Sequence, residues 1–174
     1  MDQKTIAIVV IAVVIVAVIG VAAYWMLGTG GTEEPEPTPT PTPVGIEGAT
    51  SLQFTVDITG GASEGTTNYY AKNIGTDDMM VRVECEYGEM TLIYIVNGAQ
   101  QKAWADEGTG WVDLSDTFKD QWDLWAPTYQ VYEDELGTWT EGEWTYTADD
   151  GSEVRIYDIA VDPSLEDSLF EAET

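Results

Sequence analysis

The sequence predicts an α+β protein: an N-terminal transmembrane helix, then an antiparallel β-sheet meander covered by one aromatic-rich helical segment. Three observations carry that prediction. Residues Ile6 to Leu27 are 22 consecutive uncharged, mostly apolar positions. Past Ser51, apolar residues recur at every second position, the period of a strand with one wet face. Between Phe118 and Leu136 the period changes to that of a helix.

The apolar run comes first. As a helix it reaches about 33 Å, enough to cross a hydrocarbon core of about 30 Å. A cleaved secretory signal is the rival reading, and Ala22 and Ala23 leave a small-residue site for it. Signal cores are shorter, about 7–15 residues, and this run closes on Tyr24 and Trp25, rings suited to a headgroup interface. No cysteine lies near it to accept a lipid. Lys4 precedes the run, and no Lys or Arg occurs between Leu27 and Lys72. That asymmetry puts the N-terminus in the cytoplasm and everything after Gly28 outside, a single-pass protein of the cell membrane.

The expected organisation is therefore an anchor over 1–27, a stalk over 28–46 and an extracytoplasmic domain over 47–174. The stalk has proline at 35, 37, 39, 41 and 43, which forbids helix and favours polyproline II. Pro35 to Pro43 then extends about 28 Å as a semi-rigid spacer. Its threonines, Thr38, Thr40 and Thr42, are either O-glycan acceptors or part of a bare spacer.

Within the domain, Leu52, Phe54, Val56 and Ile58 alternate with polar residues and mark the first strand. A Gly/Ser/Thr turn (Thr59 to Thr66) leads to a second strand over Thr67–Lys72. Met79, Val81, Val83, Cys85 and Tyr87 alternate with Met80, Arg82, Glu84 and Glu86, which gives an apolar and a wet face. Met90 to Val96 is apolar on both faces, the mark of a centre strand. Asn97-Gly98 is a hairpin signal of the type I′ kind, with its partner strand over Gln100–Ala105. A turn at Glu107–Gly110 returns to Trp111–Leu114. Short consecutive connections make antiparallel neighbours, hence a meander.

Phe118, Trp122, Trp125, Tyr129, Tyr132 and Leu136 then follow at intervals of 4, 3, 4, 3 and 4, all on one helical face. Lys119, Asp120, Asp123, Glu133 and Asp134 make the wet face. Ser115 or Asp116 is the expected N-cap, Gly137 the stop, and Pro127 divides the segment into two pieces. Strands follow near Thr138–Ala148 and Glu153–Val161, joined by an Asp149–Ser152 turn, then a short terminal helix over Leu165–Phe170.

Composition excludes several functions. Past the stalk, 28 Asp and Glu face five Lys and Arg, a field that repels nucleic-acid backbones and anionic lipid surfaces. The acidic excess is either a solvated surface or a means of attracting cations or a cationic partner. There is no histidine, which removes Ser-His-Asp and Cys-His catalysis and ordinary zinc sites. Cys85 has no partner for an internal disulfide and falls in the apolar phase of its strand, as a buried structural thiol does. Carboxylate pairs are unavoidable among so many acids and carry no information. Asp149–Glu153 lacks calcium-loop spacing. No catalytic residue, metal ligand or cofactor is assigned, and a non-enzymatic protein is expected.

The aromatic stripe has two readings. As core, it covers the sheet and excludes water. As a lid over a curved sheet, it leaves a hydrophobic groove lined by Phe118, Trp122, Trp125, Tyr129 and Tyr132.

Two phrases resemble the lipoprotein-carrier superfamily of periplasmic lipoprotein chaperones and mycobacterial lipid-binding lipoproteins. One is Tyr94–Gly98 through Lys102-Ala103-Trp104 to Gly110–Asp113. The other is the closing strand and tail, Val154–Pro163 to Asp167–Phe170, similar to the ends of exported archaeal members. Tyr69–Lys72 and Met79–Glu84 become adjoining strands of the same sheet. The resemblance spans about Leu52 to Phe170 and implies a convex antiparallel sheet wrapped around helices, with a cavity for acyl chains. This chain departs from the pattern in lacking a lipid-attachment cysteine, in being shorter and in carrying an anchor. A fixed domain that holds, presents or senses an apolar molecule fits those departures better than a shuttling carrier. The expected function is a membrane-tethered, extracytoplasmic domain that binds a hydrophobic ligand, lipid or lipoprotein. The alternative is a structural or accessory interaction protein of the cell envelope with an envelope protein partner.

Overall fold

Eight strands lie side by side in the computed structural model, each antiparallel to its neighbours, in the order β6-β5-β4-β3-β2-β1-β8-β7. They are β1 (Ser51–Thr59), β2 (Gly65–Lys72), β3 (Met80–Tyr87), β4 (Met90–Asn97), β5 (Lys102–Asp106), β6 (Trp111–Asp113), β7 (Trp144–Thr147) and β8 (Glu153–Val161). One helix, α1 (Phe118–Glu135), joins β6 to β7. The structure describes residues 45–60, 64–88 and 90–173. The expected membrane helix, and the expected stalk before Gly45, lie outside the described residues. Among the described residues no helix is long and apolar enough to cross a membrane. Ile46 is buried in the core, so the packed domain includes a residue assigned to the stalk.

The alternation in the sequence places the core. Leu52, Phe54, Val56 and Ile58 of β1 share a face with Tyr69 and Ala71 of β2, Val81, Val83 and Cys85 of β3, and Tyr94 and Val96 of β4. Trp125, Tyr129, Tyr132 and Leu136 pack onto that face from the helix side. Between Gln53 and Thr55 the pairing with β8 slips by one residue, and Asp158 on β8 takes a left-handed φ of 53°. Such a bulge bends its strand and tightens the local twist.

Several expectations are corrected. Met80 and Arg82 are not on a wet face: they are 5% and 7% exposed. Residues 163–171 cover them from the back of the sheet, where Phe170 packs with Met80 and Ile95, and Tyr70, Ile93, Trp104, Trp111, Leu165 and Leu169 surround them. Alternation separates two faces but does not say what lies over the second.

Asn97-Gly98 is not a two-residue turn. Asn97 pairs with Lys102 across the loop 98–101, where Gln101 takes φ 52°. The Asn97 side chain accepts a bond from Gln100 N (3.0 Å), which closes the wider loop. The partner strand therefore starts at Lys102 rather than Gln100. Pro127 does not divide α1, which is continuous. It sits on the exposed side near exposed Asp123, where the carbonyl left without its donor can be hydrated. Neither Ser115 nor Asp116 is the N-cap. A 3-10 turn, Ser115–Thr117, precedes the helix, and Ser115 Oγ instead accepts from Ala103 N (3.3 Å). The helix ends at Glu135, before Gly137, and runs into a second 3-10 turn, Leu136–Thr138.

The strand expected over Thr138–Ala148 shrinks to Trp144–Thr147. Trp139 folds back on its own loop, its indole N–H donating to Gly142 O (2.9 Å). The expected terminal helix is only a 3-10 turn, Asp167–Phe170.

Candidate functional site

The helical spacing brings the aromatic stripe onto the sheet as a set, but the stripe divides in two. Trp125, Tyr129 and Tyr132 are buried and interleave with rings from the strands. Tyr94 and Trp125 have centroids 4.6 Å apart, Tyr69 and Tyr132 5.1 Å, and Phe54 lies 6.0 Å from Tyr129 and 6.1 Å from Tyr132. Phe118 and Trp122 form a separate pair, 5.8 Å apart and half-buried, toward the N-terminal end of α1. The five residues assigned from sequence thus form a buried triad and a partly open pair.

Three polar atoms in this layer are buried without a hydrogen-bond partner: Trp125 Nε1, Tyr129 Oη and Trp144 Nε1. Tyr129 is 0% exposed. Burial, reinforced by Glu133, raises its pKa far above the usual phenol value, so the hydroxyl stays protonated. Tyr146 is raised by burial and by Tyr132 and Glu135, and it too stays neutral. Trp144 and Tyr146 were missed as site residues. Their alternation on β7, opposite Ile156 and Val154, was the signal that could have found them.

The end of α1 is strongly negative. Glu133, Asp134 and Glu135 occupy its last turn with no basic residue among them, where the helix dipole is already negative. Glu133 has a raised pKa because it is partly desolvated and stands beside Asp134. A cleft of about 490 Å³ opens beside this turn, lined by Glu133, Asp134, Ile46 and Ile74 among others. The domain's five cations are all engaged. Lys72 pairs with Asp167, Arg82 with Glu84, Lys119 with Asp123 and Arg155 with Glu143, while Lys102 lies over the Trp104 ring.

Cys85 is buried and free, and burial pushes its thiol up to about 11. A thiol held protonated is a poor nucleophile. Among the described residues no group of three or more Cys, Asp or Glu side chains is placed to hold a metal ion. The layer beneath α1 offers apolar rings and three buried donors without a partner. Comparison with protein-family models, with curated proteins and with solved structures gives no match for this chain.

Proposed function

We propose that this protein is a membrane-tethered, extracytoplasmic binding domain, non-enzymatic, for an apolar ligand that lies between α1 and the sheet and brings hydrogen-bond acceptors with it. The observation that carries the reading is the trio of unpartnered donors, Trp125 Nε1, Tyr129 Oη and Trp144 Nε1. A buried donor left unbonded costs about 1–3 kcal/mol, and native interiors keep few of them. An indole N–H only donates. The matching ligand group is therefore an acceptor such as an ester, ether or ketone oxygen. The acidic last turn of α1 disfavours a carboxylate or phosphate there, so the ligand is a neutral lipid rather than a fatty acid.

In this reading the apolar run Ile6–Leu27 anchors the chain, the proline stalk lifts the domain, and the sheet curves around the ligand. The resemblance to the lipoprotein-carrier superfamily supports the same architecture. The absence of histidine and the raised thiol pKa support a binding role over catalysis.

The test is quenching of tryptophan emission in the full chain held in lipid nanodiscs. A Trp25→Phe variant removes the indole of the anchor. Saturable quenching by a brominated acylglycerol at micromolar concentration, at least tenfold tighter than by a brominated fatty acid, is expected. No saturable quenching removes the binding role, and equal quenching by the acid removes the neutral-lipid assignment.

One observation favours a second reading, a structural or accessory interaction protein of the envelope. The rings of Trp125, Tyr129 and Tyr132 already stack with Phe54, Tyr69 and Tyr94 as a core does. Failure of every ligand to quench, together with stoichiometric crosslinking to one envelope protein in intact cells, would select it.

A further inference from the structure

Residues 163–171 cross the back of the sheet without joining its ladder. Among the described residues, main-chain bonds donated within this segment close its own turns, Leu169 to Glu166 (3.1 Å) and Glu171 to Ser168 (3.4 Å). What holds the segment comes from side chains of the sheet and its loops, and every such bond runs one way. Ser51 Oγ donates to Pro163 O (2.8 Å), Lys72 Nζ to Leu165 O (2.7 Å) and Arg82 Nη1 to Leu169 O (3.0 Å). Asn97 Nδ2 donates to Phe170 O (3.2 Å), while Lys72 and Gln100 reach the carboxylates of Asp167 (2.5 Å) and Glu171 (2.7 Å). Phe170 is 0% exposed and provides the apolar anchor on Met80 and Ile95. The fit is incomplete, since a cleft of about 360 Å³ remains between the segment and Arg82.

Donors aimed at main-chain carbonyls, two donors for acidic side chains and one deep aromatic pocket form a receptor for a short linear peptide. We propose that the back of the sheet is a peptide-binding groove for an acidic segment with an aromatic anchor, filled in cis by residues 163–171 and open to the same segment of a second copy of this chain.

The second copy is the occupant because its tail carries the one sequence whose fit to these donors is on view. Exchange preserves every contact and changes only the hinge, where Asp162 takes φ 51° just before Pro163. Anchoring of both copies in one membrane raises their effective concentration. Repulsion between chains of net charge −26 opposes exchange, so exchange rises with ionic strength.

The experiment uses the full chain in nanodiscs and a fluorescein-labelled peptide of residues 163–173. In Phe170→Ala the cis segment loses its anchor, and the peptide binds saturably. Wild type binds it at least tenfold more weakly, and a peptide carrying the same Phe-to-Ala change does not bind. No binding to a Phe170→Ala protein that keeps its native near-ultraviolet dichroism overturns the groove. A second measurement keeps the segment in place: two differently tagged copies, one with benzoylphenylalanine at Phe170, are reconstituted together and irradiated. Crosslinks to Met80–Asn97 of the other copy, increasing with salt, are expected. Crosslinks confined to one chain at every salt concentration overturn the second copy as occupant.

Discussion

The indole of Trp122 lies over Gly98, its Cζ3 atom 3.3 Å from the point where a β-carbon would stand. On its other sides that point is closed by main chain, with Met79 O at 2.6 Å and Asp77 O at 2.7 Å. Gly98 N also donates to Met79 O (2.9 Å). The residue is therefore glycine because the β2–β3 loop and α1 both close on it, not because the turn needs positive φ.

Gly98→Ala is expected to destabilise the domain by about 3 kcal/mol, the upper range for overpacking, because main chain and not a flexible side chain must give way. Gly137→Ala is the control with opposite sign. Nothing lies within 4 Å of its β-carbon position and its φ needs no glycine, so a gain of about 0.5 kcal/mol is expected. Urea midpoints of the two variants check both signs.

Tyr129→Phe deletes a buried hydroxyl that has no partner. Ligand-free protein is expected to gain about 1 kcal/mol. The same variant is expected to bind the brominated acylglycerol about tenfold more weakly. A gain in stability with unchanged affinity assigns the hydroxyl to the core alone. Calorimetry and the quenching titration read the two effects separately.

The acid limb of stability has an assignable contributor. Asp162 accepts bonds from Thr50 N (2.7 Å), Thr50 Oγ1 (2.9 Å) and Ser51 N (3.3 Å), which lower its pKa. A carboxylate lowered on folding stabilises above its unfolded value, about 3.9, and that contribution is lost as pH falls through the folded value. Asp162→Asn is expected to be less stable than wild type at pH 7 and to converge on it as pH falls through the lowered folded value of Asp162.

Glu133 has the opposite sign. Its pKa is raised, mainly by burial, so stability is complete below its unfolded value of about 4.3 and declines as pH rises through the folded value. Glu133→Gln is expected to raise Tm at pH 7 and to leave it unchanged near pH 3. Thermal melts across this range separate the two residues.

Cys85, held protonated and buried, is expected to resist a thiol reagent in native protein at pH 8 and to react fully in denaturant. Rapid native labelling would place the thiol at the surface.

Much of this fold is legible in the chain because its front face obeys a simple period. β8 matches its expected range, and β1 and β3 agree to within a residue or two, since the alternation of Val154 and Ile156, or of Val81 and Val83, has one interpretation. The back face was harder to see. Ile93 and Ile95, on the second face of β4, required a cover, but residues 163–171 have neither helical nor strand period to identify them as that cover. Their attachment depends on side-chain donors distant in sequence, such as Arg82 to Leu169. The candidate site was half legible: spacing united Trp125, Tyr129 and Tyr132, while the missing partners of Trp125, Tyr129 and Trp144 are a property of packing alone.

The register gives the molecule a near and a far end. Ser51, Lys72, Met80, Asn97, Lys102 and Val161 close one end of the sheet, and the tie between Thr50 and Asp162 keeps both chain exits there. The β1–β2, β3–β4, β5–β6 and β7–β8 hairpins turn at the other end, bringing Glu64, Glu86, Asp106, Glu107, Asp149 and Asp150 to one rim. Whatever approaches the molecule at that rim meets a crown of carboxylates before any ring, and is sorted by charge first.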